Sequence, residues 1–270
     1  MRIFIISMDD PIHTYDFIKN IINERPDNIV GVAVAKGNRL TLSKGKSKIA
    51  YIISLLIIMG PIHFFMNSLV TIRHKIYGIL HKFSIISDPS ILGYANSLGI
   101  RTFNIDSPNE SAFIDTISTL NIDLIINQSQ CIIKKKVLSI PKLGVINRHN
   151  ALLPKNRGRL TPFWVLSKNE MKTGVSIHFV EESLDSGDII AQRSYDIEHN
   201  DTFNSLVKKN YILASELILE ALDKLENGNT EYIINDNKYA TYNSTPSIKD
   251  ALKYRVNMII KFLRINKLFV

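Results

Sequence analysis

Cysteine is almost absent from this 270-residue chain: Cys131 stands alone. A single thiol excludes an internal disulfide and fits a reducing compartment. No neighbouring feature would lower its pKa, so a small packed filler is expected there rather than a nucleophile. Carboxylates are missing altogether between Asp27 and Asp88. The same stretch carries Lys36, Arg39, Lys44, Lys46, Lys48, Arg73, Lys75 and Lys82, eight cations that equal the whole net charge of +8. One segment therefore holds the basic character. Such a charge suits an anionic ligand, nucleic acid, a membrane surface or solubility alone. Glycine is missing from the Asp9-Asp10-Pro11-Ile12 loop that follows the first apolar run. A glycine-rich phosphate cradle is thereby excluded, and with it a P-loop or dinucleotide fingerprint at that loop. His63, His74 and His81 show no metal-ligand spacing with cysteine or carboxylate, and no metal is expected. The opening MRIFIISMDD is too short in its apolar part and turns acidic, so no secretory leader is expected.

What is present is a strand–helix rhythm. Residues 2–7 and 29–35 read as buried strands, with an amphipathic helix over 14–24 between them. After Asp88 the rhythm returns: helix over 89–98, strand over 102–105, helix over 110–120, buried strand over 123–127. The fold class is α/β, with a mostly parallel sheet flanked by helices. At 45% hydrophobic the chain can bury a full core. Residues 37–48 form a basic loop, and 49–80 are strongly apolar with Gly60-Pro61 near the middle. That pair should break or kink a helix and argues against a membrane span. A helical hairpin against a partner subunit or a lipid surface, or a buried structural insertion, remain as readings. Residues 1–195 are expected to form the main domain, with a helical insertion at about 40–84. Residues 196–270 would add a C-terminal helical extension, with a long amphipathic helix over 202–225 and a basic one over 248–263.

Chemistry concentrates between residues 144 and 190. Asn147 and His149 end an apolar run and, two apart on a strand, share a face. Asp185 follows 36 residues after His149, in a Leu-Asp-Ser-Gly-Asp turn. An amide, an imidazole and a carboxylate on neighbouring strand ends suit proton transfer at a carbonyl. Arg157 and Arg159 flank Gly158 and read either as an anion clamp or as a solvated surface. Thr161 is expected to cap a helix beginning at Pro162, and Trp164 to lie in the core. The loop from Gln128 to Cys131 lies at a strand's carboxyl end, where open α/β sheets take ligands.

GVINRHNALLPKNRGRLTPFWVL followed by TGVSIHFVEESLDSGDII resembles the formyltransferases that use 10-formyltetrahydrofolate. These include methionyl-tRNA formyltransferase, glycinamide ribonucleotide formyltransferase and the N-formyltransferases of nucleotide-linked amino sugars. The resemblance covers residues 123–192 and implies a Rossmann-like fold. It implies His149 as proton acceptor, Asn147 as donor to the developing oxyanion, and Asp185 as the group that orients His149 or a water. It also implies a folate site at Gln128, Gln130, Cys131, Ile132, Leu153, Pro154, Leu184 and Asp188. His178 reads as structural, on a strand away from the Asp185 turn.

The tail ATYNSTPSIKDALKYRV looks like tails of sugar N-formyltransferases in surface-polysaccharide pathways. Only 75 residues follow Tyr195, too few for the barrel of the tRNA enzymes and a long helix together. The expected acceptor is therefore a nucleotide-linked amino sugar, held through Arg157, Arg159, Tyr239 or Tyr242. A methionyl-tRNA formyltransferase-like enzyme, a formyltetrahydrofolate hydrolase and a non-catalytic module stay open. A cytoplasmic homodimer that binds no nucleic acid is expected, with peripheral membrane contact through residues 49–84 as a further expectation.

Overall fold

The computed structural model describes residues 1–36, 47–229 and 231–265. Most of the expected basic loop, residues 37–46, and the last five residues lie outside that range. The frame is a seven-stranded sheet. Its strands are β1 (Ile3–Met8), β2 (Ile29–Ala35), β3 (Thr102–Ile105), β4 (Leu124–Gln128) and β5 (Gly144–His149). After the short strand β6 (Arg157–Gly158), which lies outside this sheet, come β7 (Lys172–Phe179) and β8 (Ile189–Asp196). The helices are α1 (Thr14–Glu24), α2 (Lys48–Met59), α3 (Pro61–Lys82), α4 (Ile91–Ser97) and α5 (Ser111–Ser118). They continue with α6 (Lys135–Leu138), α7 (Thr161–Ser167), α8 (Phe203–Glu226) and α9 (Ile248–Ile265). A last strand, β9 (Tyr242–Asn243), pairs in parallel with β6.

The main sheet runs β3-β2-β1-β4-β5-β7-β8. Its first five strands are parallel, and β7 and β8 are antiparallel. This is the mostly parallel Rossmann-like sheet expected from the strand–helix rhythm. Both faces are covered, which explains why strands such as IFIISM are apolar without alternation. Ile3, Ile5, Val32, Val34, Leu124 and Ile126 pack towards α1, α4 and α8. Phe4, Ile6, Ala33, Ile125 and Val145 pack towards α5 and α6. Each such side chain contributes about 1.5–3 kcal/mol by leaving water. The chain winds outward in opposite directions from β1 and β4, so the strand order switches between them. Their carboxyl ends, Met8 and Gln128, mark where such sheets form a crevice.

The helix α8, the long amphipathic helix expected after residue 202, packs on the sheet. Its Ala214, Leu217, Ile218, Ala221 and Leu222 belong to the same core as β1 and β4, because the sheet face beneath would otherwise be bare. Thr161 is the first residue of α7, not its cap. Leu160 takes the capping place with φ of 51°, and the Thr161 hydroxyl donates to the Asn150 carbonyl. Trp164 is half-buried, not core, and its indole N–H donates to the Ser244 carbonyl.

The insertion breaks at Gly60-Pro61 as its composition requires. Gly60 has φ of 80°, which ends α2 and begins α3. The two helices have different fates. Ile58 of α2 joins a third core cluster with Phe163, Phe203, Leu206, Ala251 and Tyr254. Helix α3 buries no residue. Among the described residues no helix is long and apolar enough to cross a membrane.

Candidate functional site

Adjacent strands hold their residues abreast, and this assembles the site. Asn127 of β4 faces Asn147 of β5, which faces His178 of β7. His149 projects from the same face of β5, two residues on. The turn between β7 and β8 folds back and brings Asp185 to both histidines. Asp185 has φ of 50°, in the left-handed region that Asp adopts more readily than most residues.

Hydrogen bonds assign the protons. His149 Nε2 lies 2.8 Å from the Asn156 carbonyl. A carbonyl only accepts, so Nε2 carries the hydrogen and Nδ1 is the basic nitrogen. Nδ1 lies 3.6 Å from Asp185 Oδ2, a distance that becomes an ion pair when Nδ1 is protonated. On the other side, His178 Nδ1 donates to the Phe179 carbonyl at 2.7 Å. Its Nε2 is left with a lone pair and no hydrogen-bond partner, 3.8 Å from Asp185 Oδ1. Burial pushes the His178 pKa down to about 4, against the pull of Asp185, so this imidazole is neutral at pH 7. The Gly158 N–H donates to the Asp185 carboxylate at 2.9 Å to Oδ2. The Asp185 carboxylate, His149 Nδ1 and His178 Nε2 thus bring acceptor atoms together.

Asn147 is set in one orientation by its neighbours. Gln128 Nε2 donates to Asn147 Oδ1 at 3.0 Å, which turns the Asn147 Nδ2 donor outward. Gln128 is itself fixed, because its Oε1 accepts from Arg148 Nε at 3.0 Å. Arg148 bonds to Asn150 and to the Tyr211 hydroxyl and lies 4.1 Å over the Tyr211 ring. The side chain between the two expected site residues thus anchors the first of them.

The tail carries the other half of the site. Strand β9 pairs with β6, and the Arg157 N–H donates to the Thr241 carbonyl. Asn156 accepts on its side chain from Lys168 and Asn243 and donates to Glu170. The Asn235 amide donates to the Asp185 and Gly187 carbonyls. The segment 156–158 holds His149 through one carbonyl and Asp185 through one N–H, and the tail holds that segment. Gly158 has φ of 100°, and a Cβ there would lie 2.2 Å from the Asn243 carbonyl oxygen.

The structure brings Asn147, His149 and Asp185 together and adds His178, which the sequence reading set aside. Seven residues of separation concealed it, and only the β7–β8 hairpin closes that gap. Arg157, read as an anion clamp or a solvated surface, is instead a core residue. It is fully buried, and its guanidinium donates to Asn235, Asn237 and the Tyr242 hydroxyl. Arg159 is half-buried and reaches Gln130 Oε1 at 2.5 Å. Tyr239 and Tyr242 are exposed. Of the expected folate contacts, Ile132 and Leu184 expose apolar side chains, Gln130 and Asp188 are exposed, and Pro154 is half-buried. Cys131 is half-buried and burial raises its thiol pKa, consistent with a packed thiol. Leu153 is buried, with its N–H bonded to Ser176 and its carbonyl to Gln192. Among the described residues no group of three His, Cys, Asp or Glu could hold a metal ion.

Fold and site together define an open α/β protein with an amide–imidazole–carboxylate cluster at its sheet's carboxyl edge. Residues 78–222 match the family described as formyl transferase, and the chain belongs to that family. It is 30% identical over 198 residues to the methionyl-tRNA formyltransferase of Fusobacterium nucleatum, covering 69% of this chain and 64% of that one. It is 37% identical over 156 residues to the corresponding enzyme of Thermotoga neapolitana, covering 57% of this chain and 49% of that one. The chain thus spans about half to two thirds of these relatives. In fold it is similar to glycinamide ribonucleotide transformylase 1 of Symbiobacterium toebii, with a TM-score of 0.59, 15% identity, and 87% of this chain and 95% of that one covered. It is also similar to the N-formyltransferase of Helicobacter canadensis in complex with folinic acid and dTDP-3-aminofucose. There the TM-score is 0.56 at 17% identity, covering 96% of this chain and 81% of that one.

Proposed function

We propose that this protein moves the formyl group of 10-formyltetrahydrofolate onto the amine of a nucleotide-linked amino sugar in the cytoplasm. The observation that carries the reaction is the proton-accepting cluster of His149, Asp185 and His178 beside the outward amide of Asn147. An amine that attacks a formyl carbon must shed a proton, and His149 Nδ1 is the basic nitrogen that receives it. Asp185 then holds the imidazolium, and the tetrahedral adduct collapses by breaking the bond between the formyl carbon and N10 of the folate, which takes a proton back from His149 and leaves as tetrahydrofolate. Asn147 Nδ2 donates to the oxygen that gains charge as the amine adds, a contact typically worth about 3–4 kcal/mol in the transition state. The folate supplies the activated one-carbon unit. The exposed apolar side chains of Ile132 and Leu184 fit the flat faces of its pterin, with Gln128 to Ile133 and Leu184 to Asp188 as the holding loops.

For the acceptor, the supporting observation is the tail. Residues 232–244 pack on the segment 156–158 that holds His149 and Asp185, so they belong to the catalytic body. The similar Helicobacter canadensis enzyme, complexed with a nucleotide amino sugar, aligns with 96% of this chain. Arg159 and the exposed Tyr239 and Tyr242 are the groups assigned to the nucleotide or its phosphates. The test is mass spectrometry of a panel of nucleotide amino sugars incubated with 10-formyltetrahydrofolate and enzyme. A formylated sugar is expected. Formylation of methionyl-tRNA with no sugar product would instead favour the reading suggested by the similarity to methionyl-tRNA formyltransferases, with tRNA binding that falls steeply with salt. Folate turnover without any amine would mark a hydrolase.

A further inference from the structure

Helix α3 is built inside out. Its exposed side chains include Ile62, Phe65, Leu69, Ile72, Ile76 and Ile79, spaced three and four apart and so on one face. Leu69 is 65% exposed and Ile62 72%. The opposite face carries Asn67, Thr71, His74 and Gly78, also three and four apart and all half-buried, with Phe64 and Val70 half-buried beside them. His74 Nε2 bonds the Asp9 carboxylate at 2.9 Å, so the polar stripe is the one turned to the protein. An ordinary surface helix does the reverse. A contiguous apolar stripe of this length, left in water, marks an interaction surface.

We propose that this face docks the protein on a lipid surface carrying anionic headgroups. Charge decides between occupants. From residue 28 to residue 87 there is no carboxylate, while exposed Arg73, Lys75 and Lys82 border or flank the apolar stripe. A second copy of α3 would bring those cations against each other with no acid in the segment to meet them. A sheet of phosphate headgroups supplies the counter-charge, and the apolar stripe enters the boundary beneath it. Helix α9, which packs on α2, also exposes apolar side chains beside cations. It is tied to α2 by Arg255 Nε to the Ile57 carbonyl, and it exposes Leu252, Val256, Ile259 and Ile260 beside Lys249 and Lys253. The length limit also agrees, since no described helix crosses a bilayer and this one would lie along it. The docking is independent of formyl transfer, because none of these residues belongs to the site.

Flotation of the purified full chain with phosphatidylglycerol-containing vesicles, and with phosphatidylcholine vesicles, tests this. The protein is expected to float with the anionic vesicles and not with the neutral ones, and to be released by salt. Leu69→Glu with Ile76→Glu should abolish flotation, while the circular-dichroism melting curve stays in place because both side chains are exposed. Arg73→Gln with Lys75→Gln should weaken partition about fivefold per charge removed. Failure to float with anionic vesicles overturns the proposal. So does a dimer in sedimentation velocity, without lipid, that Leu69→Glu with Ile76→Glu splits into monomers, since a second copy would then cover the face.

Discussion

At the scale of single residues, the site works by arranging lone pairs. Gln128 and Arg148 touch no expected reacting atom, yet they decide which end of the Asn147 amide faces the crevice. Gln128→Ala should therefore lower kcat by about tenfold, the value of one hydrogen bond. Asn147→Ala should cost about 10²–10³ in kcat, the usual loss of an oxyanion donor. Steady-state kinetics of the two variants separate the positioning role from the direct one. His178 predicts a pH effect on stability. Its folded pKa near 4 lies below its ordinary 6.5, so between those values the unfolded chain binds a proton that the folded chain refuses. Stability is level with respect to His178 above pH 6.5 and falls as pH drops towards 4. Urea denaturation across that range should show the slope, and His178→Asn should flatten it.

At the scale of elements, the two-residue pair β6–β9 matters beyond its size. It is the clamp through which the tail fixes the His149 and Asp185 partners. Gly158→Ala should break it, because backbone rather than a movable side chain blocks the new Cβ, and φ of 100° is strained for alanine. The expected result is a loss of kcat greater than the loss of stability, read by kinetics alongside thermal melting. The element boundaries of the sheet were largely legible in the sequence. Residues 14–24, 29–35 and 102–105 form their helix and strands where the apolar periodicity places them. The β6–β9 pair was not legible, because two-residue strands carry no periodicity and their partners lie 85 residues apart.

At the scale of the whole molecule, Arg157 shows how the tail and the sheet are one body. Its guanidinium is a fully buried cation whose two terminal nitrogens donate to neutral oxygens of residues 235–242, while Nε has no hydrogen-bond partner. Arg157→Met keeps much of the volume and removes every one of those charge-assisted bonds, each worth about 1.5–3 kcal/mol. A single cooperative unfolding transition moved to lower temperature is expected. A separate early transition of the tail would show instead that it is an independent appendage.

The sequence by itself determined the α/β class, the break at Gly60-Pro61, the segregation of charge into residues 36–82, and the trio Asn147, His149 and Asp185. Each follows from local periodicity, from conformational limits of glycine and proline, or from a contiguous motif. Tertiary structure alone decided that His178 joins the trio, that Arg157 is core, that Gln128 and Arg148 orient Asn147, and that α3 turns its apolar face outward. The physical reason is that burial and hydrogen-bond partnership are set by which elements meet across the sheet. Periodicity says that a helix has two faces, and only its neighbours decide which one is inside.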